Sequence, residues 1–190
     1  MPNATIHKYA TDLLAAHHHV AEAIGRQVTD ARVLSMSDAS GVLYEVHGTI
    51  MRHFKDLEGR LKESGGLGAG GQVKEALTSV SGFLAGLYGQ MRREPVSRML
   101  RDDILAVDFL QTCTEMFHAT AKACGDTHFT SCAESMFRDH AMLTLKLHEV
   151  LPNVVVRELP PEHVVDATAG TATVRAVSDA WHSTSATAGI

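Results

Sequence analysis

The sequence predicts an all-α protein, a bundle of four long helices, and three observations carry that expectation. Four segments repeat apolar residues at steps of three and four, the spacing that lines one face of a helix. Aromatic residues make up only 5% of the chain, which suits a core of Leu, Val, Ala and Met packed helix against helix. The segments are punctuated by glycine, proline and capping residues, not by the alternating pattern of strands.

Segment A runs from Ala4 to Val33 on the stripe Ile6, Ala10, Leu13, His17, Val20 and Ile24, with Gly25 as its weak point. Ser35 to Asp38 form a loop and an N-cap for segment B, which carries Leu43, His47, Ile50, Phe54, Leu57 and Leu61 and ends near Glu63. The glycine run from Gly65 to Gly71 breaks any helix. Beyond it Val73, Leu77, Val80, Leu84, Leu87 and Met91 mark an additional amphipathic helix. Pro95 opens segment C, whose stripe is Met99, Asp103, Ala106, Leu110, Cys113, Phe117, Thr120 and Cys124, and Gly125 closes it. Asp126 or Thr127 caps segment D, with Ala133, Met136, His140, Leu143, Leu147, Val150 and Val154, a kink at Pro152, and an end near Leu159. Short A–B and C–D loops make two antiparallel hairpins. The roughly 30 residues between them allow a long crossover that sets C parallel to B, the topology of ferritin-like bundles.

Residues 1–159 are therefore expected to form the bundle and residues 160–190 an Ala/Thr/Ser-rich tail. Within the tail Val174, Val177 and Trp181 are spaced for one short helix, docking Trp181 on the bundle or on a neighbouring subunit, or binding a partner. The final stretch from Ser183 is expected to be disordered. A net charge of −5 argues against nucleic acid as a partner. No apolar run approaches the length of a membrane span. The first eight residues lack the basic-then-apolar pattern of a secretory leader, and three cysteines suit reduced thiols, so a cytoplasmic location is expected. A Cys124–Cys132 disulfide across the Gly125-Asp126 turn is the weaker alternative. Neither a Gly-x-Ser-x-Gly elbow nor a phosphate loop is present, since the glycine run lacks the Lys-Ser/Thr that such a loop needs.

The polar interruptions of the stripes are the candidate chemistry. His17, His47, Asp103 and His140 fall one per segment, and a buried polar group without a partner costs about 1–3 kcal/mol. They are candidates to pair with one another or to share a metal, for which imidazole and carboxylate suit iron, zinc, copper or manganese. By helical rise His47 and Asp103 lie roughly 10–15 Å from the depth of His17 and His140, so two smaller clusters are the alternative. Exchanging His47 for His53 and Asp103 for Asp108 improves the match in depth. Structural readings stand beside these: core histidines bonded to Ser, Thr or carboxylate, a charge cluster at Arg98, Arg101, Asp102 and Asp103, and interhelical salt bridges from Arg138-Asp139-His140. His17, His18 and His19 point about 100° apart and cannot share an ion, whereas His19 and Glu22 suit weak surface binding.

Several stretches resemble the small stress-associated branch of the ferritin-like proteins. They are His53-Phe54-Lys55-Asp56-Leu57-Glu58, Leu100-Arg101-Asp102-Asp103, Met116 to Asp126, Phe137-Arg138-Asp139-His140 and Leu151 to Leu159. The resemblance covers about residues 5–159, and it implies a ferritin-like bundle, a di-iron centre and pairing through a helix face into a homodimer. The ligand pattern departs from the family, whose sites take a Glu from each of two helices and a Glu-x-x-His from each of the others. Only Glu115-Met116-Phe117-His118 has that form, and it belongs to the polar stripe Asp108, Gln111, Glu115, His118 and Lys122. Gly48-Thr49 stands where the branch carries Glu-Thr, and Asp12, Asp108 and Asp139 stand near positions of longer Glu ligands. The expectation is a stress-associated ferritin-like protein with a degraded di-iron set, binding iron or another transition metal through His17, His47 or His53, Asp103 and His140. Oxidation by O₂ or peroxide, or simple metal binding, is the chemistry this implies. The alternatives are a non-catalytic scaffold with a metal-free core, and a bundle holding a small apolar ligand or haem on His17 or His140.

Overall fold

The computed structural model describes residues 4–66 and 95–188, and no strand occurs among them. Helix α1 spans Ala4–Gln27, α2 Ala31–Leu34, α3 Ser37–Glu63, α4 Val96–Ala123, α5 Thr127–Glu158 and α6 Ala169–Ala188. Segment A thus divides before Val33. The Asp30 carboxylate accepts a hydrogen bond from the Arg32 amide and holds its guanidinium at 2.6 Å, local bonding that competes with a continuous helix and starts the single turn of α2. Gly25 is not the break. It lies inside α1, where a Cβ would stand 3.1 Å from Nε2 of His47, so the missing side chain makes room for that ring. Gly65 and Gly125, both at positive φ, close α3 and α4 with the paired 6→1 and 5→2 bonds of Schellman ends. Pro95 supplies no side-chain cap to α4. Glu158, at the far end of α5, accepts from the Val96 and Ser97 amides instead and places its charge at the positive end of the helix dipole. Asp126 caps α5 through the Phe129 amide, and the helix runs on through Pro152 to Glu158.

The four long helices pack in a ring, each antiparallel to two neighbours. Gly25 meets His47 near one end of the α1–α3 pair, and His7 meets Gly66 at the other. Along α4 and α5, Val96 is joined to Glu158 and Phe117 packs on Phe129. Asp38–Arg157, Glu45–Lys146 and Arg60–His128 run down the α3–α5 pair. Gln27 donates to Asp103 between α1 and α4. The diagonal pairs, α1 with α5 and α3 with α4, consequently run parallel, and α3 ends where α4 does not begin, at the opposite end of the ring. The additional helix expected over Val73 to Met91 lies outside the described residues.

The apolar interior is divided in two. One cluster holds Ile6 to Leu14 of α1 with Leu57, Leu61, Phe117, Ala121, Phe129 and Met136. The other holds Ala16 to Ile24 with Leu43, Val46, Ile50, Met99, Leu110, Leu143 and Leu147. Between them, at the same level of the four helices, lie His17, His53, Thr114 and His140, all buried. The buried faces of two helices are rotated slightly from the expected stripes. Val46 and His53 point inward on α3 while His47 and Phe54 sit at the edge, and Thr114 and Ala121 replace Cys113 and Cys124 on α4.

The tail adds a longer helix than expected. A short 3₁₀ turn at Pro161–His163 leads to α6, which packs on α5 and continues to Ala188 through an Ala-rich stretch that favours helix. Trp181 stands edge-on to His148 with ring centres 5.0 Å apart. None of the described helices is long and apolar enough to cross a membrane. The backbone of α6 comes close to α5 at Gly170, where a Cβ would lie 2.9 Å from the Asn153 Cα. Gly170→Ala should therefore lift α6 from α5 and shift the emission of Trp181, the chain's single tryptophan, to longer wavelength, with little loss of helix by circular dichroism. An unchanged emission spectrum would show that α6 is not held by this contact.

Candidate metal centre

Three helices each deliver one imidazole to the polar level between the two apolar clusters: His17 from α1, His53 from α3 and His140 from α5. Their ring centres are 5.3–5.8 Å apart, and one nitrogen from each lies within 4.8 Å of the others. The local sequence accounts for the convergence. Each histidine continues a run of core residues at helical spacing, Leu13–His17–Val20, Ile50–His53–Leu57 and Met136–His140–Leu143, so each ring must enter the interior.

Hydrogen bonding fixes two of the tautomers. Nδ1–H of His17 donates to the Leu13 carbonyl at 2.9 Å, so its Nε2 carries a lone pair. Nε2–H of His53 donates to Oδ2 of Asp139 at 2.8 Å, so its Nδ1 carries a lone pair. Both lone pairs are buried without a hydrogen-bond partner, as are both ring nitrogens of His140. Arg52 also bonds Asp139, at 2.9 Å, from the exposed edge of α3. The Asp139 carboxyl lies below its usual range: burial pushes it up, but the bonds from His53 and Arg52 outweigh that. Burial holds the imidazoles neutral. It lowers His17 to about 3 and, together with the neighbouring imidazoles, His140 to about 2. His53 is lowered by burial against the opposing pull of Asp139.

This arrangement has the features of a nitrogen site for a metal ion. The rings are neutral, one nitrogen of each lies within 4.8 Å of the others, and Nδ1 of His17 and Nε2 of His53 are held by a carbonyl and a carboxylate, the outer partners that orient metal-bound histidines. In a tetrahedral site with bonds of about 2.0–2.1 Å the donor atoms are about 3.4 Å apart, so small ring movements close the present spacing. A di-iron carboxylate centre does not fit these residues. No carboxylate joins the three-histidine group among the described residues. Glu115 and Asp108 are exposed, and His118 reaches only Glu134, at 3.6 Å.

The other expected ligands lie elsewhere. His47 is half-buried against Gly25, six residues and thus about 9 Å of helical rise from His53. Asp103 is fully buried at the far end of α1, where it accepts from Gln27 at 2.9 Å. Both are therefore too distant in depth to join His17 and His140. Asp139 was legible as an interhelical salt-bridge residue and as a short carboxylate near a ligand position of the resembled family, but nothing in the sequence pairs it with a histidine on another helix. Thr114 interrupts an apolar face, but its hydroxyl donates to the Leu110 carbonyl of its own helix. No disulfide joins Cys124 to Cys132, and burial pushes Cys113 up to about 11 and Cys132 to about 12. The chain matches no known protein family, no curated protein and no solved structure.

The neutral cluster predicts a pH dependence. The folded-state values of His17 and His140 lie below the ordinary 6.5, so under that pH the unfolded chain takes up protons that the folded core refuses. Their contribution to stability is complete above about pH 6.5 and is lost as the pH falls, by about 1.4 kcal/mol per pH unit for each histidine. Urea unfolding of the metal-free protein between pH 6.5 and 4.5 should show this slope, and His17→Leu/His140→Leu should flatten it. Equal slopes in the two proteins would mean that these histidines are not buried neutral.

Proposed function

We propose that this chain is a metal-binding bundle of ferritin-like arrangement whose core holds one transition-metal ion on Nε2 of His17, Nδ1 of His53 and one nitrogen of His140. The observation that carries this reading is the set of four buried ring nitrogens without partners, all at one level of the core. At about 1–3 kcal/mol for each, such a cluster costs roughly 4–12 kcal/mol, comparable to the whole stability of a domain. An ion that accepts three of the lone pairs offsets that cost. The all-nitrogen donor set suits zinc, copper, nickel or iron(II) in preference to magnesium, calcium or manganese. The ring of antiparallel neighbours with parallel diagonals supports a ferritin-like topology, and the stress-associated, cytoplasmic and homodimeric roles belong to that same reading. Bound there, the ion would tie three helices together, and iron or copper would add the capacity to react with O₂ or peroxide. The chain's own contribution is to hold the rings neutral, to fix two tautomers through Leu13 and Asp139, and to surround the site with apolar side chains.

A second reading is a metal-free polar layer that sets helix register. The His53–Asp139–Arg52 chain, which joins α3 to α5, favours it. A haem held on His17 or His140 fits less well, because three rings with centres at most 5.8 Å apart already fill this level.

Elemental analysis of untagged protein should find about one zinc, copper or iron per chain, and a chelator should lower the melting temperature. His17→Leu/His140→Leu should bind none at this level, while its metal-free form gains stability by about 1–3 kcal/mol as the orphaned nitrogens disappear. Absence of any melting shift after anaerobic loading with each of these metals would leave the register reading in place. Asp139→Asn separates the two as well: a metal centre should lose about 10–100-fold in affinity with the fold intact. Unchanged affinity would remove Asp139 from the outer shell.

A further inference from the structure

We infer that His18, His19 and Glu22 form a second cation site on the surface of α1, through which an ion reaches the buried histidines. Donor atoms of these three side chains lie within 4.8 Å of one another. Nδ1 of His18 and Nδ1 of His19 stand 3.8 and 3.9 Å from the same oxygen, Oε2 of Glu22. Positions 18 and 19 each lie within one turn of 22, and although their side chains leave the helix about 100° apart, both imidazoles bend toward Glu22. These two neighbouring histidines can therefore share an ion, contrary to the expectation from helical spacing alone. Two imidazoles and a carboxylate on one face, open to water on the other, are a donor set for a first-row divalent ion such as zinc or copper. The histidine edge is preset. The His18 ring packs on Phe54 with centres 5.6 Å apart, and its Nδ1 is shielded from solvent with no hydrogen-bond partner, so the lone pair it can carry there is aimed into the cluster. Arg26 approaches Glu22 at 3.9 Å, but its side chain is 69% exposed and can swing out as the ion's charge replaces its own.

The position of the cluster gives it a role. His18 follows His17 in the chain and Phe54 follows His53, so the His18–Phe54 contact lies immediately outside the His17–His53 contact along the α1–α3 seam. An ion captured at the surface therefore sits one residue from the donors of the core, separated from them by a pair of rings. This relay rests on the core centre proposed above; the surface site does not.

Zinc titration of the full chain against a chromophoric chelator tests both parts. The native protein should take up two ions, one tightly and one weakly. His19→Ala/Glu22→Gln, which leaves the three core histidines untouched, should lose the weak ion, keep the tight one, and fill the core about tenfold more slowly or worse as the local concentration of captured ion falls. Two ions in that variant, or core filling at the native rate, would overturn the inference. His17→Leu/His140→Leu separates the two proposals: retention of the weak ion alone supports both sites. Two ions in this core variant would remove the core centre and leave the surface site to stand on the His19/Glu22 result.

Discussion

The structure depends on keeping three imidazoles uncharged at one level of an apolar core. His17, His53 and His140 enter from three helices and divide the interior into two clusters of Leu, Ile, Val, Phe and Met. A protonated His17 or His140 would carry an unpaired charge into low dielectric, with no carboxylate beside it. Burial therefore selects the neutral form, and neutrality is what makes the nitrogens donors. The same desolvation that threatens stability at low pH creates the chemistry available at neutral pH.

The surroundings serve this level. The Leu13 carbonyl and the Asp139 carboxylate each accept a hydrogen bond from one ring and so determine which of its nitrogens carries the lone pair. Ion pairs from Asp38–Arg157 through Glu45–Lys146 to Arg52–Asp139 hold α3 against α5 in a single register, and the Glu158 cap joins the end of α5 to the start of α4. Individually, exposed pairs of this kind contribute little, about 0–1 kcal/mol each. Their importance lies in register, since a slip of one turn would separate His53 from His140.

The di-iron ligand pattern expected from the sequence and the side chains that meet in the core are different. On α4 Glu115 and Asp108 face solvent, and the inward position at the level of the histidines is Thr114. A carboxylate-bridged pair of irons needs negative charge from several helices. A group of three neutral nitrogens suits a single, nitrogen-preferring ion.

Much of the architecture was legible in the sequence. Apolar spacing located four long helices, and Gly65, Gly125, Asp126 and Pro160 marked their ends, because caps and breakers act through local backbone chemistry. The same spacing identified His17 and His140 as inward residues. On α3 it put His47 and Phe54 inward and left His53 off the stripe, although Val46 and His53 continue the same steps of three and four on a face rotated by one position. Local periodicity cannot choose between them. The choice was made by tertiary packing, which set His47 over Gly25 and turned His53 toward Asp139 and His140. Depth was decided in the same way. Helical rise allowed two clusters or one, and only the register between α1, α3 and α5 gathered three histidines at one level and left Asp103 with Gln27 at the end of the bundle. The sequence determined which residues could be buried; the contacts between helices decided which of them meet.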